Sequence, residues 1–518
     1  MKNIPEVDQI SIEKNYDSDF CGSIPLHLVN LIQPHGMLLV LEKEELTIIQ
    51  VSENVSEFLG MQAEDLLEHP LSHFLPAAQF EDLTAKMKQQ GNLDKISYSL
   101  SFNSRPEQEP LTALLHTGPE YVLIELEYNE TAPADNSFRV LYQQIKFITS
   151  LLKQAGSAQQ IAQIAATEMK RVSGFDRVLV YQFDPTWNGI VIAQEKEANM
   201  DDYMGLRFPA SDVPKQARDL YFRNPYRLIP NKAYTPVRLI PIINSLTQRF
   251  TNLSDCNLRS VASVHLEYLT NLGITASMSL PIIIDNKLWG LISCHHKTAK
   301  NPSYEVRSAL ELLSDIVAAQ LAAKERERVI SNRAELQRVH GKLMEQLYTN
   351  QVFAEGLLLG EVNIQHLLSL TGAAVTFDGG TWTYGNTPEA QDLRELVSWL
   401  RRNKIDKLFS TDSLPKIYVQ SKEYKDVVSG LIVLPINAEQ GEYILGFRSE
   451  VLQTVKWGGD PNQAIQMEPD GKTYHPRNSF ATYQETVKYT SLPWLTEELE
   501  VAETLRSAVL GKIIKDKF

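Results

Sequence analysis

His265 and Tyr268 stand three residues apart in LRSVASVHLEYLTNLG, Leu258 to Gly273, and on a helix that spacing sets both rings on one side. Taken alone, a histidine between Val264 and Leu266 is an ordinary core or surface residue. A second group, Cys294-His295-His296, invites a metal reading. Strand alternation sends the two histidines to opposite faces, and no third or fourth ligand stands at useful spacing, so a shared metal is not expected. RFPASDVPKQARDLY, Arg207 to Tyr221, puts Ser211 and Asp212 ahead of a proline-containing helix start, which on its own reads as an ordinary N-cap. The three cysteines, Cys21, Cys256 and Cys294, form no disulfide framework and suit a reducing compartment. A thiolate among them is a nucleophile, but its pKa is not legible from sequence.

These residues need a large scaffold. A chain of 518 residues is too long for one hydrophobic core and predicts three domains. Its 43% hydrophobic and 22% charged residues are those of a soluble globular protein, and the net charge of −14 argues against nucleic acid as partner. No apolar run approaches the roughly 20 residues that cross a bilayer, and MKNIPEVDQI lacks a signal-peptide pattern. The expectation is a cytoplasmic protein with no membrane partner.

Residues 1–20 read as an N-terminal arm. GMLLVLEKEELTIIQV reads as two strands about a charged turn, followed by short helices, and NETAPADNSF (129–138) marks a boundary. FITSLLKQAGSAQQIAQIAATEMKRVSG predicts one amphipathic helix closed by Gly174. RVLVYQFD pairs with GIVIAQEKEA, and SMSLPIII with KLWGLISCHH across Asp285-Asn286. From Tyr304 to about Tyr348 the apolar spacing predicts one long helix, a spine or a dimer seam; two helices broken near Ser331-Asn332 is the alternative. A third region repeats the theme: a helix over 355–370, a hairpin about Asp378-Gly379-Gly380, a second hairpin, a long irregular insertion from Trp457 to Gln484 and a final helix. The fold class expected is α+β, with antiparallel sheets carrying helices.

In combination these segments resemble the phytochrome photosensory core, and the resemblance covers nearly the whole chain. The pocket helix of plant and many cyanobacterial phytochromes has a cysteine where Val264 stands. The bacteriophytochrome class instead uses a cysteine near the N-terminus, and Cys21 leads into IPLHLVNLIQPHG in that manner. The chain is therefore similar to cyanobacterial members that lack the GAF-domain cysteine. The resemblance implies a PAS domain over 21–130, a bilin-binding GAF domain over 131–325 and a PHY domain over 326–518 with a tongue at about 450–490. It also implies a figure-of-eight knot, with Ile32 threaded through a GAF loop.

The implied cofactor is biliverdin IXα, thioether-linked to Cys21. By the same resemblance the Asp212 carbonyl accepts from the pyrrole N–H groups and His265 joins their proton network. His295 bonds the rotating ring, and Tyr181, Phe208 and Tyr268 surround it. Arg227, Arg259, Ser277, Ser279 and Tyr221 take the propionates, with Ala262 standing where many relatives have a hydroxyl residue. Trp457 and Ser479 belong to the tongue motifs, Arg477 pairs with Asp212, and Trp494 and Glu497 match downstream tongue elements.

The function implied is red/far-red photoreception. Isomerisation at C15=C16 would refold the tongue and signal through long helices. The partners implied are a second copy, joined through GAF and PHY helices, a C-terminal histidine kinase and a response regulator. No catalytic module appears in this chain, so an enzyme is expected only as a full-length sensor kinase from which this core is cut. The alternatives are a light-independent PAS-GAF module for a small ligand, or a bilin lyase or reductase. The first leaves the order Cys21, Asp212, His265, Arg477 unexplained, and the second would need a catalytic acid exposed to a dissociable ligand, whereas Cys21 implies permanent attachment.

Overall fold

The computed structural model describes residues 26–90, 95–105, 109–128, 138–463, 465–467 and 474–517. Cys21 lies outside the described residues. Contacts divide the chain into two compact units: residues 1–322 with 456–483, and residues 323–455 with 484–518.

The first unit holds two large sheets, antiparallel apart from the parallel pairing of Trp457 with Arg207. One runs in the order Leu31–Ile32, Val237–Ile240, Ile48–Ser52, Gly36–Glu42, Tyr121–Tyr128, Leu111–Thr117, Ile96–Leu100. Its first two strands have an informative origin. Ile32, fully buried, pairs with Val237 on one edge and Arg259 on the other, while Leu28 meets Asn252. The Gln33 N–H donates to Leu258 O at 2.7 Å, and its side-chain amide donates to Leu228 O at 3.0 Å. The 27–33 segment is thus flanked on both sides by a single connection, the contact pattern that threading requires.

The second sheet runs Arg227–Ile229, Ala276–Ile284, Lys287–His296, Arg177–Phe183, Gly189–Lys196, Arg207–Phe208, and continues past Arg207 through its parallel pairing with Trp457. The Asp285-Asn286 turn takes positive φ at both residues (49° and 58°), as a two-residue hairpin needs. On one face the helix Ala158–Ser173 buries Ile161, Ala165 and Met169 against Val178, Val180 and Ala193. The single helix expected here is two, Phe138–Gln154 and Ala158–Ser173. Ser157, extended at φ −149°, accepts from Gln160 N at 3.2 Å and starts a new helix; a cap signal following a glycine outweighs continuous periodicity. The opposite face carries the candidate site.

The long helix is unbroken from Tyr304 to Thr349. The second unit has a sheet in the order Gly380–Gly385, Gly372–Phe377, Glu442–Arg448, Gly430–Asn437, Phe409–Thr411. The helix expected over 355–370 is two short ones, Phe353–Leu358 and Ile364–Leu368, because Asn363 caps the second with Gln365 N at 3.1 Å. Trp494 lies in this unit, with the Arg448 guanidinium 3.8 Å from its ring centroid. Glu497 is buried at the start of the final helix, Thr496–Lys517.

Candidate functional site

A cavity of about 400 Å³ opens on the second sheet of the first unit. The strand Arg177–Phe183 turns Leu179 and Tyr181 towards it, and Lys287–His296 turns Leu291, Ser293 and His295, because alternate residues share a face. Ser277 and Ser279 enter from the neighbouring strand. The pocket helix Ser263–Asn271 forms one wall with Val264, His265 and Tyr268. The Arg207–Tyr221 segment supplies Phe208, Asp212 and Tyr221, and Leu26, Val29 and Leu31 close another side. All the described side chains expected to hold a ligand therefore line one cavity of a size suited to a cofactor.

Two arginines give it a positive end. Arg227 Nη1 donates to Asn257 O at 2.9 Å, and its Nη2 donates to Arg259 O at 2.5 Å and Ser260 O at 3.2 Å. Arg259 is 6% exposed, and its Nη1 is buried without a partner among the described residues. Burial, aided by Arg227, pushes its guanidinium down to about 9. A buried orphan donor on a cation is costly, and an anionic ligand would satisfy it. Ala262 lines the cavity beside this end and brings no hydroxyl; Ser260, also lining it, is engaged with Tyr234 Oη at 2.8 Å.

The two histidines are held neutral. Burial and then Arg227 push His265 down to about 4, and its ring stacks on Tyr268 at 5.7 Å and 10°. His295 is pushed well below the usual range by burial, then by Arg177 and His265. His296 points away and contacts Asp176 at 3.0 Å, as the strand alternation requires.

Asp212 does not cap the helix that follows it; Pro214 occupies that cap, with no side-chain bond. Instead its carboxylate takes a fork from Arg477, at 2.7 and 2.6 Å, and a third bond from Tyr268 Oη at 2.9 Å. The pair is 7% and 3% exposed. Burial lowers the Arg477 guanidinium, but Asp212 outweighs it and the net direction is upward. Phe480 seals this contact, its ring 4.5 Å from the Arg477 guanidinium and 5.0 Å from Tyr268 in an edge arrangement.

The insertion carrying Arg477 is not irregular. Ile465–Met467 pairs with Tyr474–Pro476, and Ile465 and Pro476 reach the cavity. Trp457 is buried and pairs with Arg207. Gly459, at φ 93°, donates to Ala481 O at 3.1 Å; a Cβ there would stand 2.3 Å from Ser479 O and 2.7 Å from Arg477 Cδ. That explains why Trp457-Gly458-Gly459 and the Arg477 segment occur together. Ser479 itself is exposed and does not line the cavity.

Sequence reasoning missed Arg177, Glu267 and Asn271. Arg177 Nη2 lies 3.0 Å from His295 Nδ1, His475 Nδ1 lies 2.8 Å from Glu267 Oε2, and Asn271 Nδ2 donates to Arg477 O at 3.1 Å. The last two stand four residues apart on one half-buried side of the pocket helix, two and six residues beyond His265, a signal available only once the insertion is known to fold back.

Three family models match in order: the PAS fold over residues 21–129, the GAF domain over 157–324 and the Phytochrome region over 336–517. The chain is 39% identical to Cyanobacterial phytochrome B of Nostoc sp. over 98% of its length and 68% of that protein's. It is 31% identical to the Bacteriophytochrome of Pseudomonas aeruginosa, covering 94% of this chain and 65% of the relative. The chain thus spans about two thirds of the length of these relatives. Among solved structures it is similar to the bacteriophytochrome RpBphP3 of R. palustris (TM-score 0.83, 34% identity, 96% and 99% coverage). It is likewise similar to the photosensory core module of Stigmatella aurantiaca phytochrome (TM-score 0.81, 34% identity, 96% and 99% coverage). With this identity over nearly its entire length, and all three regions in sequence, the chain belongs to the phytochrome family.

Proposed function

We propose that this chain is a red/far-red photoreceptor whose cavity holds biliverdin through a thioether to Cys21. The observation that carries the reading is the buried Nη1 of Arg259, unpartnered among the described residues, at the positive end of a cavity with aromatic and neutral imidazole walls. That arrangement suits a flat, conjugated ligand bearing carboxylates. When bound, the pigment supplies light absorption and isomerisation about its C15=C16 bond.

The protein's part is to bind, orient and report. Arg259, with Ser277, Ser279 and Tyr221 near it, anchors the propionates; Arg227 holds the 257–260 segment that carries Arg259. Asp212 offers its backbone carbonyl to the pyrrole N–H groups while its carboxylate stays on Arg477. His265 and Tyr268 cover one face, and Tyr181 and Phe208 enclose the ring nearest His295. Cys256 and Cys294 are both buried with thiols pushed up by burial, Cys294 to about 12, which leaves Cys21 as the nucleophile. Cys21 stands five residues before Leu26, a lining residue of the cavity, which supports it as the point of attachment.

Signalling in this reading runs through the tongue. Its strand pair is tied to the site by Arg477, and a change at Asp212 biases it towards a helical form. The family resemblance further implies a homodimer through GAF and PHY helices, and exposed Phe147 on Phe138–Gln154 and Leu312 on the long helix are the positions at which such a seam can be tested. The output partners are a histidine kinase and its response regulator, in the cytoplasm.

The test is a titration of the chain with biliverdin and with its propionate dimethyl ester. The reading predicts at least roughly tenfold weaker binding of the ester, and loss of that difference in Arg259→Gln. Equal binding of acid and ester by the unaltered chain would remove the arginine anchor and its claim on a carboxylated ligand.

A further inference from the structure

His295 sits in the sheet between Ser277 on one neighbouring strand and Arg177 on the other, each in direct register with it. Its Nδ1 lies 3.0 Å from Arg177 Nη2. A guanidinium can only donate, so Nδ1 must present its lone pair, and in a neutral imidazole the proton then sits on Nε2. An imidazolium would set N–H against N–H. Arg177 is poorly placed to swing aside. Its Nη1 donates to Asp201 O at 3.0 Å, its guanidinium lies 4.1 Å from the Tyr203 ring centroid, and the residue is 1% exposed.

We infer that Arg177 is a positioning residue that fixes His295 as the neutral Nε2–H tautomer, so that the cavity presents a hydrogen-bond donor there and selects a ligand oxygen. The charged and titratable groups acting on His295 are Arg177 from the adjacent strand and His265 from the pocket helix, and both oppose its protonation alongside burial. The identity of the ligand oxygen, the D-ring carbonyl, rests on the bilin reading; the tautomer does not. The consequence is specificity. A pigment turning an N–H towards His295 would meet a second donor, whereas a carbonyl is received without any proton movement at the imidazole.

The experiment reads the nitrogen signals of His295 in the full chain labelled with nitrogen-15 histidine, first without pigment, with assignment by difference from His295→Gln. The expected result is the signal pair of a neutral Nε2–H imidazole, unmoved between roughly pH 6 and 8, where a free imidazole titrates. In Arg177→Met the restraint on Nδ1 is gone, and the His295 signals shift to those of mixed neutral tautomers. Arg177→Lys, which keeps a cationic donor, retains the Nε2–H signal. With biliverdin bound, the infrared carbonyl band facing His295 moves to higher frequency in Arg177→Met and stays near the parent position in Arg177→Lys. An Nδ1–H tautomer or an imidazolium in the unaltered chain overturns the inference, as do unchanged nitrogen signals in folded Arg177→Met. Should Arg177→Met fail to fold, the signals of the unaltered chain decide alone. Expected nitrogen signals together with no binding of biliverdin would uphold the role of Arg177 and reject the bilin reading.

Discussion

Removing one member of a buried ion pair strands the other, and Asp212 with Arg477 is the pair on which the site closes. Arg477→Met leaves the Asp212 carboxylate with Tyr268 as its donor, at a cost of about 3–5 kcal/mol to tongue closure. Asp212→Ala combined with Arg477→Met should recover part of that loss, since no charge is left buried. Amide hydrogen exchange over residues 474–480 measures both; full protection in the single variant would show that the pair does not hold the tongue. The histidines make a second prediction at this scale. In the native chain without pigment, His265 takes its proton only near pH 4, whereas unfolded it does so at about 6.5. Below 6.5 the unfolded state therefore binds more protons, and stability present above that value drains away as pH falls towards 4. The amount is on the order of 3 kcal/mol. Urea midpoints across that range should fall in the parent chain and fall less in His265→Gln.

Elements were legible where periodicity and turn chemistry agreed. The Asp285-Asn286 hairpin, the strand Arg177–Phe183 and the long helix Tyr304–Thr349 follow from alternation, two turn residues and sustained apolar spacing. Helix breaks were not: Ser157 and Asn363 each start a second helix inside a stretch whose apolar rhythm continues, because capping is a local hydrogen bond that periodicity does not register. The insertion from Trp457 was the hardest segment, since its strands pair with each other and with Arg207 far away in sequence. Its closure depends on Gly459. Gly459→Ala meets both the positive φ and the Ser479 and Arg477 atoms, so it should release Arg477 without touching the cavity. Limited proteolysis should then cut within residues 460–480 several-fold faster than in the parent, and an unchanged rate would show that the backbone yields there instead.

At the scale of the molecule, most cavity residues were within reach of the sequence because they sit in recognisable segments, from Phe208 and Asp212 through His265 to Ser279 and His295. Arg177 was not, because its meaning comes from a cross-strand register to His295 that only the assembled sheet reveals. The division of labour between the arginines was equally hidden: Arg227 is occupied by three carbonyls, and Arg259 has a buried donor with no partner among the described residues. Assembly of two copies is a prediction of this scale. Replacing exposed Phe147 and Leu312 together by Glu should shift the chain towards monomer in sedimentation velocity, with the cavity unaffected; an unchanged dimer would place the seam elsewhere.

The most direct measurement is a red-minus-far-red difference spectrum of the chain assembled with biliverdin, run beside Cys21→Ser and followed by denaturation. The account predicts reversible red and far-red bands, and pigment that stays with the denatured chain only when Cys21 is present. Binding without photoconversion, or pigment lost on denaturation from the unaltered chain, would contradict it.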